Sequence, residues 1–188
     1  MLVVFGLGNP GDRYQGTRHN VGMEVAGSLA RRLGIELLPG RGDFYCAGNA
    51  DRDIHLIVPT TYVNDSGRAA SQALESLGAR PDELLVVCDD FNLPLGSLRI
   101  RKRGSEGGHN GLASIIYHLD TREFPRLRMG VGPLPEGTDW ADFVLASFTG
   151  AEADDVGKMK EEAARAVLDI ASSGLDAAMN TYNRRVEP

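Results

Sequence analysis

Asn9, His19, Asn64, Asp89, His109 and Asn110 are the residues of this 188-residue chain whose types could act together on one bond. A histidine held by a carboxylate is a general base near neutral pH, and carboxamide or backbone N–H groups can receive charge that develops on a carbonyl oxygen. That combination suits acyl hydrolysis by activated water. Each residue alone has an ordinary explanation, because asparagine caps helices and turns, a histidine before a helix is often a cap, and an aspartate can simply face water. Their convergence raises the functional reading. Asn9 follows the apolar run Leu2-Val3-Val4-Phe5, Asn64 follows the run Asp53 to Val58, and Asp89-Asp90 follow Leu84 to Cys88. In an open α/β sheet, ligands sit outside the carboxyl ends of such strands.

Other chemistries fit less well. Ser66 and Ser105 lack a G-x-S-x-G elbow, and Cys88 adjoins Asp89 but lies in mid-strand, where a thiol points poorly for attack. A divalent ion on His19, His109, Asp89 and Asp90 would make a phosphoesterase, yet no pair has the spacing of a helical metal motif. Gly6-Leu7-Gly8-Asn9-Pro10-Gly11 matches a dinucleotide fingerprint in its letters only. The first amphipathic stripe (Val21, Val25, Leu29, Leu33) starts after Asn20, too late for those glycines to hold a phosphate at a helix terminus, and Glu36 falls inside Ile35-Glu36-Leu37-Leu38. The glycines read instead as a sharp turn off the first strand that carries Asn9 into a cleft and returns the chain at His19.

The elements that must position these groups follow from periodicity. Helices are predicted after Asn20, from Ser66 to Leu77, from Leu112 to Leu119 and from Ala151 to Ala171. Continuous apolar runs at Leu2–Phe5 and Leu84–Cys88 read as strands covered on both faces, and Leu98–Arg101 and Arg126–Val131 alternate as half-exposed strands do. Pro133 to Gly137 reads as a mobile loop. The expectation is an α/β fold spanning 1–188 as a single domain, with an open, twisted, mixed but mainly parallel sheet flanked by helices. No run nears the ~20 apolar residues of a membrane span, and the first residues lack a signal peptide's basic start, so a soluble cytoplasmic protein is expected. Cys46 and Cys88 read as reduced, partly buried thiols.

The net charge of -6 does not suggest a polyanion partner, but its distribution does. Leu95 to Gly130 holds seven basic residues against three acidic ones, while the rest of the chain holds thirteen against twenty-three. A basic zone on an acidic body suits a local phosphate contact, and a solvated basic strand explains the charge equally well.

Taken together, Gly6-Leu7-Gly8-Asn9-Pro10-Gly11, Tyr14, Thr17-Arg18-His19-Asn20-Val21-Gly22, Pro59-Thr60-Thr61-Tyr62-Val63-Asn64-Asp65-Ser66-Gly67, Asp89, Leu93-Pro94 and Gly107-Gly108-His109-Asn110-Gly111-Leu112 resemble the bacterial peptidyl-tRNA hydrolases from Val3 to about Asn183. The resemblance implies a monomeric enzyme that cleaves the ester between a peptide and the terminal ribose of tRNA, with no metal or cofactor. It also implies roles: His19 as general base, Asp89 as its orienting partner, and Asn9 and Asn64 as groups that position the substrate and its carbonyl. Asn110 with His109 would read the peptide and the tRNA end, Tyr14 and Tyr62 would contact the terminal nucleotide or peptide, and Arg101 and Arg128 would clamp a tRNA 5′-phosphate. The sequence departs from the family at Val63, where methionine is usual, at Asp90, where glutamate is common, and at Asn92, where an acid is frequent. The pI of about 5.2 and the short Arg184–Pro188 end are also less basic than a tRNA binder suggests. A non-catalytic RNA-binding or RNA-processing factor of the same fold is the alternative.

Overall fold

Seven strands and six α-helices are formed by residues 1–183, the span that the computed structural model describes. The strands are β1 (Leu2–Gly6), β2 (Leu38–Pro39), β3 (Phe44–Asn49), β4 (Ile54–Pro59), β5 (Leu84–Pro94), β6 (Leu98–Arg101) and β7 (Arg126–Gly132). The helices are α1 (Val21–Leu33), α2 (Ser66–Leu77), α3 (Asn110–Leu119), α4 (Trp140–Leu145), α5 (Ala153–Ser173) and α6 (Leu175–Tyr182). One sheet of order β2-β3-β4-β1-β5-β7-β6 joins all the strands. Its four central strands run parallel, and antiparallel pairs close both edges. The Arg184–Pro188 end lies outside the described residues.

Period-two alternation divides the core. Val4, Leu56, Leu85, Val87, Leu127 and Met129 pack with residues of α1, α5 and α6, whereas Val3, Phe5, Ile57, Leu84, Val86 and Cys88 pack with residues of α2 and α3. Both faces are therefore dry, which is why these strands read as unbroken apolar runs. Carried one step further, the alternation puts Asp89 on the α1 face with Leu85 and Val87, and Asp90 on the opposite face. Parallel β1, β4 and β5 end on one rim, as the sequence suggested.

Some elements differ from the sequence reading. Asp89 and Asp90 lie within β5 rather than beyond it, because the strand continues to Pro94 with an irregularity between Asp90 and Pro94. Of Ile35–Leu38 only Leu38 enters a strand. β3, α4 and α6 were not predicted: Phe44–Asn49 has no clean alternation, and helices of six and eight residues are too short to display a period. No helix among the described residues is long and apolar enough to cross a membrane.

Candidate active site

The glycine-rich segment works by close approach more than by turning. A Cβ on Gly22 would run into the Val87 carbonyl oxygen, and one on Gly6 would run into the Gly22 carbonyl, so the first turn of α1 rests directly on β1 and β5. Among Gly6, Gly8 and Gly11, only Gly11 takes a positive φ, 100°. Leu7 N–H donates to Val87 O and Met23 N–H to Leu7 O, locking helix to strand at the point where the active-site loop departs. Of the expected glycine turn, Gly11 supplies the left-handed backbone, while Gly6 serves close packing instead.

Asn20 then fastens Asn9. Its Oδ1 accepts from the Asn9 N–H at 2.8 Å and its Nδ2 donates to the Asn9 carbonyl at 2.9 Å, an arrangement that leaves α1 without a side-chain cap. Asn9 Oδ1 in turn accepts from the Val63 N–H at 2.9 Å. With one bond to its oxygen holding the amide in place, Asn9 keeps its Nδ2 hydrogens for a further acceptor. Val63 contributes here through its backbone, which any side chain could do, so the departure from methionine leaves this bond intact.

His19 lies in a short 3-10 turn that opens α1. Its neighbour Arg18 anchors the turn by donating to Ala146 O and Ser147 O, by a two-pronged ion pair with Glu152, and by stacking on Phe143 and Phe148. His19 Nδ1 meets Asp89 Oδ1 at 2.8 Å, and both residues are buried. Burial alone would push the Asp89 carboxyl up, but electrostatic attraction to the His19 and His109 rings and the hydrogen bonds from them outweigh it and hold the group well below the usual carboxylate range. For His19, burial disfavours the charged form, yet the Asp89 charge and hydrogen bond prevail and raise its pKa above the ordinary 6.5. An ionised Asp89 can only accept, so His19 carries its hydrogen on Nδ1 and keeps the Nε2 lone pair. That lone pair can accept a proton.

A cleft of about 500 Å³ opens beside it, lined by Asn9, Tyr14, His19, Tyr62, Asn64 and Asn110. The ring of Tyr14 stands edge-on to Tyr62, with centroids 6.4 Å apart. Six predicted residues thus share one cavity, although they come from five parts of the chain. Sequence reasoning missed Arg13, Trp140, Val144 and Leu145, which line the same cleft. Arg13 lay unnoticed in a loop without a period, and its guanidinium sits 4.5 Å above the Tyr14 ring.

His109 departs from its expected place. It is buried and does not line that cleft; its Nε2 lies 3.0 Å from Asp89 Oδ1, and its Nδ1 accepts from the N–H groups of Gly111 and Leu112. It is the N-cap of α3, and Asn110 is the residue it presents to the cleft. His19 Nδ1, Asp89 and His109 Nε2 also form the sort of group that could ligate a metal. As arranged, both nitrogens aim hydrogens at one carboxylate oxygen and offer no convergent lone pairs, whereas an ion would need its ligands at about 2.0–2.2 Å.

The basic zone separates into parts. Arg99 pairs with Arg128 and Arg101 with Arg126 across β6 and β7, so all four side chains leave one face of the sheet edge. Arg126 is buried and donates to the carbonyls of Gly104, Ser105, Arg122 and Phe124, which makes it a strut for two loops. Arg128 is tied to buried Asp90 at 3.0 Å, and Arg101 is half-exposed with no acidic partner among the described residues. Asp90 Oδ1 also accepts from the N–H and Nδ2 of Asn92. The departures at 90 and 92 belong together, since an acidic side chain at 92 could not donate to Asp90.

Fold and site define a hydrolase of α/β architecture with a histidine held by a buried aspartate at the wall of its cleft. The chain belongs to the peptidyl-tRNA hydrolase family, whose sequence model matches residues 3–188. Peptidyl-tRNA hydrolases of Chlorobaculum parvum and Alkaliphilus metalliredigens are 42% and 44% identical to it, cover 99% and 97% of this chain, and are themselves covered in full. The crystal structure of peptidyl-tRNA hydrolase from Acinetobacter baumannii superposes with a TM-score of 0.90 at 29% identity, over 97% of this chain and 94% of that one.

Proposed function

We propose that the protein hydrolyses the ester joining a peptide, or an N-blocked amino acid, to the terminal ribose of tRNA, and so returns tRNA to translation as a cytoplasmic monomer. The observation that carries this reading is the His19–Asp89 pair, 2.8 Å apart, at the wall of a cleft shared with Asn9, Asn64 and Asn110. Water gives a proton to His19 Nε2 as its oxygen bonds to the ester carbonyl carbon. The carbonyl electrons move onto oxygen, where Asn9 Nδ2 donates a hydrogen bond. Collapse of this adduct breaks the bond to the ribose oxygen, which takes the proton back from His19 and leaves a free carboxylic acid. A positioned base supplies about 10²- to 10⁴-fold, and one donor to the oxyanion about 3 kcal/mol.

Asn64 holds the substrate beside Asn9, and Tyr14 with Tyr62 offers aromatic surface to the terminal base. Asn110 bonds the peptide amide. A free charged amine in that position would be desolvated without a partner, so a blocked substrate is preferred. Arg101 and Arg128 supply the contact to a tRNA phosphate.

The test is release of N-acetylated amino acid from tRNA, with and without chelator. Wild type should turn over equally in both, and His19→Ala should lose at least about 10²-fold in kcat. Near-normal turnover by His19→Ala would sink the mechanism, chelator sensitivity would point to a metal, and RNA binding without hydrolysis would favour the non-catalytic factor.

A further inference from the structure

We propose that His109 is a positioning residue that sets the basicity of His19 by sharing Asp89 Oδ1 with it. The inference rests on the hydrolytic reading above for its kinetic test only. Two hydrogen-bond sets carry it. Nδ1 of His109 accepts from Gly111 N–H at 3.1 Å and Leu112 N–H at 3.3 Å, so that nitrogen has no hydrogen of its own. The hydrogen must then sit on Nε2, where it is donated to Asp89 Oδ1 at 3.0 Å. The tautomer is thus chosen by the N-terminus of α3. His19 Nδ1 donates to the same oxygen at 2.8 Å, and the two rings lie 4.9 Å apart.

One oxygen with two donors holds each less tightly than it would hold one. The Asp89 charge, together with the Nδ1–H bond that strengthens as His19 becomes cationic, overcomes burial and raises its pKa. The His109 donor spreads part of the Asp89 charge and limits that rise, which keeps more His19 in the free-base form near neutrality. Other groups around the pair do not take over this task. Asp90 and Arg128 neutralise one another at 3.0 Å. Burial pushes the Cys88 thiol up and keeps it neutral, Arg126 is spent on backbone carbonyls, and Arg18 on Glu152. From α4 only Trp140 and Val144 border this end of the site, and neither titrates.

The two duties of His109 can be separated. In His109→Asn the amide oxygen stands near the former Nδ1 and keeps the cap, but the donor to Asp89 is lost. In His109→Gln an amide nitrogen stands near the former Nε2 and keeps that donor, but the cap is lost. The measurement is the pH dependence of kcat/KM on N-acetylated aminoacyl-tRNA, together with NMR titration of the His19 ring in the substrate-free protein. His109→Asn should move the His19 titration and the acid limb upward by about one pH unit, the scale of a lost hydrogen bond to a charged group. His109→Gln should leave both in place and raise KM, because α3 would hold Asn110 less firmly. A purely structural role would lower the melting temperature in both variants and leave the His19 titration unmoved in each. That result, or a downward shift in His109→Asn, would overturn the proposal. The NMR arm needs no substrate, so it stands or falls separately from the hydrolytic reading.

Discussion

Asp89 Oδ1 is the atom on which the site turns, since two imidazoles from separate segments of the sequence donate to it. Asp89→Asn would present either an amide hydrogen or a neutral oxygen to His19, release the preference for the Nδ1–H tautomer, and remove the charge that raises the pKa of His19. By comparison with other His–Asp sites, kcat should fall about 10⁴-fold. The sign of the pH effect follows from the cause. A base whose pKa is raised by a carboxylate gains its free form only at higher pH, so the residual activity of Asp89→Asn should have its acid limb at lower pH than wild type. An unchanged limb in a rate profile would mean that His19 is not the titrating base. The types of His19, Asp89, Asn9, Asn64 and Asn110 were legible in the sequence because their chemistry is local to each side chain. The duty of His109 was not, because it depends on which ring nitrogen the first turn of α3 occupies.

At the scale of elements, the site depends on α1 lying against the sheet with no side chain between them. Gly22→Ala would place a methyl group against the Val87 carbonyl oxygen, a backbone atom in the middle of a parallel sheet that cannot swing aside. Overpacking of this kind costs about 1–3 kcal/mol, equivalent to a fall of roughly 2–12 °C in melting temperature for a chain of this size. Thermal unfolding followed by circular dichroism would check it, and an unchanged midpoint would show that α1 can lift off β5. Activity should fall as well, because the same contact sets the distance from His19 to Asp89. Strands and helices with a full period were readable: α2 and β6 begin and end where periodicity puts them. The length of β5 was not, since nothing in Asp89-Asp90-Phe91-Asn92 advertises a strand. Ladder bonds to β7 extend it, and they come from a segment nearly forty residues away.

For the molecule as a whole, charge is the property that composition reports and topology reassigns. Seven basic residues between Leu95 and Gly130 suggested a phosphate surface, yet Arg126 is a buried strut, Arg128 is shared with Asp90, and Lys102 and Arg103 pair with Asp176 and Glu123. Binding to tRNA should weaken with salt. Arg101→Ala should reduce the slope of log affinity against log salt concentration by about 0.7–0.9, the value for one lost phosphate contact, and Arg128→Ala by less, because its guanidinium is already partly neutralised. Filter binding across a salt series would decide it, and equal slopes for wild type and Arg101→Ala would remove Arg101 from the clamp. The sequence by itself determined the α/β class, the main apolar elements, the family and the residue types of the reacting group, since periodicity, composition and motif order are written along the chain. Tertiary structure alone decided which contact occupies the Asn9 oxygen, which nitrogen of His19 keeps its lone pair, and which arginines are tied to acidic partners. Each of those depends on hydrogen bonds and ion pairs between segments far apart in sequence, whose partners exist only once the sheet has brought the strand ends together.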